Sequence, residues 1–144
     1  MKNIATIIAI VLISSFGFAQ SGPKIEFKAK DNTIDYGTTS KKKDNGVRSF
    51  EFTNTGDAPL IITNVLSTCG CTVPTKPNAP IMPGKTGKID VKYNMAPGPI
   101  RKTITVESNA VNYEGGRVPL KIKGEVVVKT ETNVMEKKKT IMSK

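Results

Sequence analysis

Asn54-Thr55-Gly56-Asp57-Ala58-Pro59-Leu60-Ile61-Ile62-Thr63-Asn64-Val65-Leu66-Ser67-Thr68-Cys69-Gly70-Cys71-Thr72 decides how this chain folds. Its first four residues are turn formers, and Pro59 then sets an extended approach to a strand. Leu60 and Ile62 share one face of that strand and Ile61 takes the other. A strand covered on both faces reads this way, so Leu60 to Leu66 is expected to be a central core strand. The run ends at the only two cysteines of the chain, where regular pairing is expected to stop.

Strand patterns lie on both sides of this stretch. Upstream, Lys24 to Lys28 alternates charged and apolar residues, and Ile34 and Tyr36 continue the inward set. Asp44-Asn45-Gly46 is a turn signal. Val47 to Thr53 follows, with Phe50 and Phe52 on one face and Arg48 at its open end, where it reaches solvent. Downstream, four prolines between Val73 and Pro83 mark an irregular or edge segment, because proline supplies no ladder donor. Gly87 to Tyr93 puts Ile89, Val91 and Tyr93 inward. Met95 to Pro99 reads as a rigid loop, Ile100 to Ser108 as a strand, and Val118 to Val128 as the closing strand, with a bulge at Gly124. No helix of convincing length is present. About seven short strands separated by turn chemistry predict an all-β chain folded as an immunoglobulin-like β-sandwich.

The ends have different characters. Met1-Lys2-Asn3 is a short positive start, Ile4 to Ile13 is uncharged and apolar, and Gly17 and Ala19 are small. That is the layout of a signal peptide over residues 1–19, with cleavage expected between Ala19 and Gln20. The apolar run falls short of the roughly 20 residues a membrane span needs. Export implies a periplasmic or secreted location. The Ig-like domain is expected over residues 24–128, and residues 129–144 as a flexible lysine-rich tail.

Composition narrows the chemistry. The chain carries 22 Lys and Arg against 12 Asp and Glu, a formal net charge of +10. The charge is spread along the chain with no aromatic-interleaved basic strand, which argues against a nucleic-acid platform. There is no His, so His-dependent triads and common zinc sites are excluded. No Walker or dinucleotide fingerprint occurs. Asp35, Asp57, Asp90 and Glu107 fall in turns or on strand exteriors. No catalytic residue and no cofactor are assigned.

Several phrases, taken in order, carry a resemblance. They are Phe50 to Gly56, Pro59-Leu60-Ile61-Ile62, Cys69-Gly70-Cys71-Thr72, Pro83-Gly84, Ile89 to Tyr93, and Ile104 to Asn109. Together they resemble the bacterial domain-of-unknown-function family 1573, over about residues 25–128. The family looks like the Ig-like domains of the ASPM–SPD-2–Hydin and major-sperm-protein type. The resemblance implies a secreted β-sandwich and no assigned activity.

Cys69 and Cys71 are the candidate site residues. At i and i+2 in an extended strand their sulfurs share a face. A local disulfide is one reading, Gly70 letting the backbone bend to close it. A Cu(I) site of two thiolates is a second, with Met82 and Met95 as further sulfur donors although both read as solvent-facing loop residues. Thiol–disulfide exchange is a third, lacking the familiar C-x-x-C spacing. The preferred expectation is an exported, non-enzymatic Ig-like module of the cell envelope that binds a protein or polymeric partner. The Pro-rich segment 74–83 and the loop 95–99 are the expected contact surfaces. The alternative is a thiol-redox or Cu(I)-handling protein centred on Cys69 and Cys71.

Overall fold

A computed structural model describes residues 21–128. The expected signal peptide and the expected tail lie outside the described residues. Eight strands form: β1 (Ile25–Phe27), β2 (Thr33–Thr39), β3 (Val47–Asn54), β4 (Ile62–Ser67), β5 (Thr72–Thr75), β6 (Thr86–Tyr93), β7 (Gly98–Ser108) and β8 (Arg117–Val126). They make two four-stranded sheets, ordered β1-β3-β6-β5 and β2-β8-β7-β4. The all-β sandwich expectation stands, with eight strands where the sequence reads about seven, and β7 takes in Gly98 and Pro99, which the sequence assigns to a loop.

The two inner faces close over one core. Ile25, Phe50, Phe52, Ile89 and Val91 of the first sheet are fully buried, as are Ile100, Ile104, Val106, Val118 and Leu120 of the second. Phe27 stacks obliquely on Phe52, 5.5 Å between ring centroids. Each such side chain contributes about 1.5–3 kcal/mol by leaving water.

Two irregularities set which side chains face inward. Between β2 and β8, which pair in parallel, the register shifts between Asp35 and Thr38, so Tyr36 and Gly37 stand opposite Gly124. The bulge expected at Gly124 is therefore on the facing strand. Gly124 is required there by a φ of +145° and by Gly37 O, which would lie 2.8 Å from an added Cβ.

The second shift lies in β4, between Ile62 and Asn64. It inverts the alternation, so Val65 turns toward the core and Leu66, 46% exposed, turns out. The strand order also makes β4 an edge strand, not the central strand that its hydrophobicity implies. Only Leu60 and Ile62 of the run are buried. Leu60 precedes the strand and exchanges backbone hydrogen bonds with Ile81.

Asn54 closes β3 and is fully buried. Its Oδ1 accepts from Lys24 N at 3.3 Å and Gly56 N at 3.0 Å. Its Nδ2 donates to Ala58 O at 2.7 Å and Ile81 O at 2.8 Å. Asn54→Ala strands the Lys24 and Gly56 N–H donors and the Ala58 carbonyl, some of them away from water, and should cost about 3 kcal/mol. Asn109, exposed, donates to Pro59 O and accepts from Ile61 N. Water replaces those bonds, so Asn109→Ala should cost about 1 kcal/mol or less. Urea unfolding of both variants measures the difference; equal costs would contradict it.

Candidate functional site

Strand directions place the loops at two ends of the sandwich. β3, β5 and β7 run one way, antiparallel to β6, and to β4 and β8. One end therefore gathers the β2–β3 loop, the β4–β5 crossover, the β6–β7 loop and the exit from β8. The other end gathers the β3–β4, β5–β6 and β7–β8 connections. The two expected contact segments separate accordingly. Residues 95–97 sit at the first end, and the Pro-rich segment beyond Thr75 runs to the second.

The first end carries an apolar groove of about 470 Å³. Ser40, Lys41 and Lys42 form one wall, Asn94 to Pro97 another, and Val126 to Val128 the third. Ser40 is 5% exposed, and among the described residues its Oγ has no hydrogen-bond partner. A buried hydroxyl left unpaired costs about 1–3 kcal/mol, so a ligand group that reaches it gains from the bond. Sequence reasoning missed Ser40, since a serine before three lysines reads as solvated loop.

The frame beneath the groove is polar and well bonded. The Tyr36 hydroxyl donates to Gly46 O at 2.9 Å inside the fold. Gly46 has a φ of +76°, and an added Cβ there would meet Tyr93 O at 2.1 Å. Arg48 does not extend freely to solvent as its sequence position implies. Its guanidinium bonds both Asp44 carboxylate oxygens and lies 4.2 Å over the Tyr36 ring centroid. The Asp44 carboxyl is held below the usual carboxylate range, first by Arg48 and further by the Gly46 N–H.

Met95, in the left-handed region at φ +56°, is 3% exposed and lies against Gly46. It is a core residue, which corrects its reading as a solvent-facing loop methionine. Met82 is 52% exposed and precedes β6, whereas Met95 follows it. The length of that strand, roughly 25 Å, separates the two thioethers. They do not converge on the cysteines, so the four-sulfur copper set is not assembled.

The cysteines occupy the crossover by which the chain leaves β4 for β5 in the other sheet. The structure joins them as a disulfide, with Cα atoms 5.4 Å apart. Both are half-buried, and Gly70 between them is exposed. Backbone and side-chain bonds hold the crossover as well. Ser67 Oγ donates to Cys69 O at 3.0 Å, and Asn94 N donates to Cys71 O at 2.9 Å. Asn94 also lines the groove, so crossover and groove are neighbours. Asp35, Asp57, Asp90 and Glu107 are scattered, each bonded to a local partner: Gly37 N, Gly22 N, Ser49 Oγ and Arg117 respectively.

Burial pushes the Tyr36 hydroxyl up to about 12. Its folded value lies above its unfolded value near 10, so the stabilisation is complete below pH 10 and is lost as pH rises toward 12. Tyr36→Phe should flatten this alkaline loss while costing about 1 kcal/mol at neutral pH for the missing hydrogen bond. Asp44 has the opposite sign: its depressed value makes stability fall as pH drops below about 4, and Asp44→Asn should remove that dependence. Urea midpoints across pH, for the three proteins, check both limbs.

Comparison with known proteins places this geometry in a family. A structure of a protein of unknown function from Porphyromonas gingivalis superposes with a TM-score of 0.58 at 17% identity, covering 76% of this chain and 50% of that one. The secreted serine protease VesC of Vibrio cholerae gives 0.54 at 14% identity, over 78% of this chain and 25% of that one. The ASH / PapD-like domain 7 of human CEP192 gives 0.55 at 12% identity, over 82% and 97%. The chain thus spans half the length of the first structure and a quarter of the second; the likeness is one of fold. No curated protein matches by sequence. The family described as "Protein of unknown function (DUF1573)" matches residues 26–126, and the chain belongs to it.

Proposed function

We propose that this chain is an exported, non-enzymatic binding module of the cell envelope, and that its groove takes an extended segment of a protein partner. The observation that carries this reading is the buried Ser40 hydroxyl, without a partner among the described residues, in the wall of a mainly apolar groove. An extended segment supplies what such a site lacks. It offers a backbone N–H or C=O for Ser40 and an apolar side chain for the surface of Pro97, Val126 and Val127. The Lys41 cation in the wall favours an acidic residue beside that side chain, and the chain's formal net charge of +10 favours encounter with an acidic partner. Met1 to Ala19 supports export, through the charge, apolar run and small residues described above.

Ser40→Ala separates this reading from a merely structural role. It removes an unsatisfied buried hydroxyl, so the variant should be as stable as the parent or more stable. Binding should nonetheless weaken by about tenfold. Ala96→Arg, at an exposed position in the wall, should block the groove without disturbing the core. A displayed library of random peptides, panned against the purified chain, should yield sequences with an apolar residue beside an acidic one that bind neither variant well. Peptides that bind parent and variants alike would sink the groove assignment. Cell fractionation with mass analysis of the released chain tests export, the expected first residue being Gln20.

A further inference from the structure

We infer that the Cys69–Cys71 disulfide is a thiol–disulfide exchange centre, with Cys69 as the attacked sulfur and Cys71 as the leaving one. Three observations carry this.

The first is that the bond is not needed as a staple. A ring closed over one intervening residue restricts the unfolded chain little. The crossover is already tied by Ser67, by Asn94, and by Thr68 Oγ1, which donates to Thr103 O. The fold can therefore hold its shape with the bond open, as an exchange centre requires.

The second is access. Gly70 has no left-handed φ, and nothing lies within 4 Å of the place its Cβ would occupy. Neither conformation nor packing demands glycine there. Its missing side chain leaves the outer side of the disulfide ring uncovered at that residue.

The third is asymmetry. Cys71 packs against the hydrophobic core, whereas Cys69 is outside that cluster. Among the described residues, Cys71 Sγ has a hydroxyl beside it, Thr72 Oγ1 at 4.0 Å. A disulfide sulfur carries no proton, so the hydroxyl is the donor. Thr72 is 3% exposed, which keeps the contact away from water. A bond to a neutral sulfur at this distance is weak, and it strengthens when the sulfur becomes an anion.

The step balances with a dithiol as reductant. Its thiolate attacks Cys69 Sγ and forms a mixed disulfide. The Cys69–Cys71 bond breaks, and Cys71 Sγ leaves with the electron pair as a thiolate held by the Thr72 hydroxyl. The second thiolate of the dithiol then attacks its own sulfur in the mixed disulfide and releases Cys69. The partner is oxidised to a disulfide, and this chain takes up two electrons and two protons. Cys69 is the sulfur outside the core cluster and Cys71 the stabilised leaving group, a division of labour that thiol exchange rewards.

The test uses the full exported chain with dithiothreitol and glutathione as probes. Under native conditions dithiothreitol should open the bond, with two thiols per chain by alkylation and mass, and the circular dichroism of the sandwich should be kept. With glutathione as a single thiol on the parent, acid quenching and mass mapping of the trapped mixed disulfide should place the glutathione on Cys69 at least about tenfold more often than on Cys71. Thr72→Val should slow opening by dithiothreitol about tenfold, and Thr72→Ser should restore it. The inference fails if the bond resists native reduction or if the fold is lost on opening. It fails equally if glutathione is trapped on Cys71 as often as on Cys69, or if Thr72→Val, folded by the same spectrum, opens at the parent rate.

Discussion

Side-chain amides that stand in for backbone partners tie the loops of this sandwich to its strands, and Asn54 is the fully buried one among them. A fully buried amide tolerates its position only when its donors and acceptor are used. Asn54 uses them on three separate pieces of chain: the lead into β1, the β3–β4 turn, and Ile81 beyond β5. The same arrangement recurs where edges would otherwise be open. The Asn112 amide exchanges a pair of bonds with Ile25 of β1, and Asn109 does so around Pro59 and Ile61. Asn64 Oδ1 accepts from the N–H of Val65 on edge strand β4. Each closes off backbone that would otherwise invite another strand.

The groove end is built differently. There the ladder stops and loops must be positioned by a few contacts of high consequence. Gly46 is the pivot: its carbonyl accepts from both the Tyr36 hydroxyl and Tyr93 N, while its own N–H donates to Asp44. Tyr36, Arg48 and Asp44 then fix one another by stacking and ion pairing. Because Arg48 is partly withdrawn from water on an aromatic face, its pair with Asp44 counts for more than the exposed pairs such as Lys28–Glu51. Met95 accepts an unfavourable φ in return for burial against this pivot.

Most of the fold was legible because alternation with period two reports which residues face inward. Phe50, Phe52, Ile89, Val91, Tyr93, Ile104 and Val106 are all buried as the pattern requires. The reading failed where the pattern itself is broken. An inserted residue near Thr63 exchanges the roles of Val65 and Leu66, and no local property of a threonine announces that. Strand order is likewise invisible, so a hydrophobic run became an edge. The cysteines were found at once, since they are the only two. Ser40 was not, because its burial is produced by Asn94 to Pro97 and Val126 to Val128, distant in sequence.

Counting satisfied polar groups separates the two ends of the molecule more sharply than shape does. At the end holding Asn54, Asn109 and Asn112, the loop amides are spent on holding the chain itself. At the other end, a buried hydroxyl lacks a partner among the described residues and a glycine stands open without structural need. Folding selects against both features: an unpaired buried hydroxyl costs stability, and an unneeded glycine costs backbone entropy. Their occurrence together, on either side of Asn94, is what fold stability alone does not explain. Interaction with something outside the chain does explain it, because a partner supplies the missing bond and needs the ring uncovered. Function is therefore to be sought at the end where the β4–β5 crossover meets the groove.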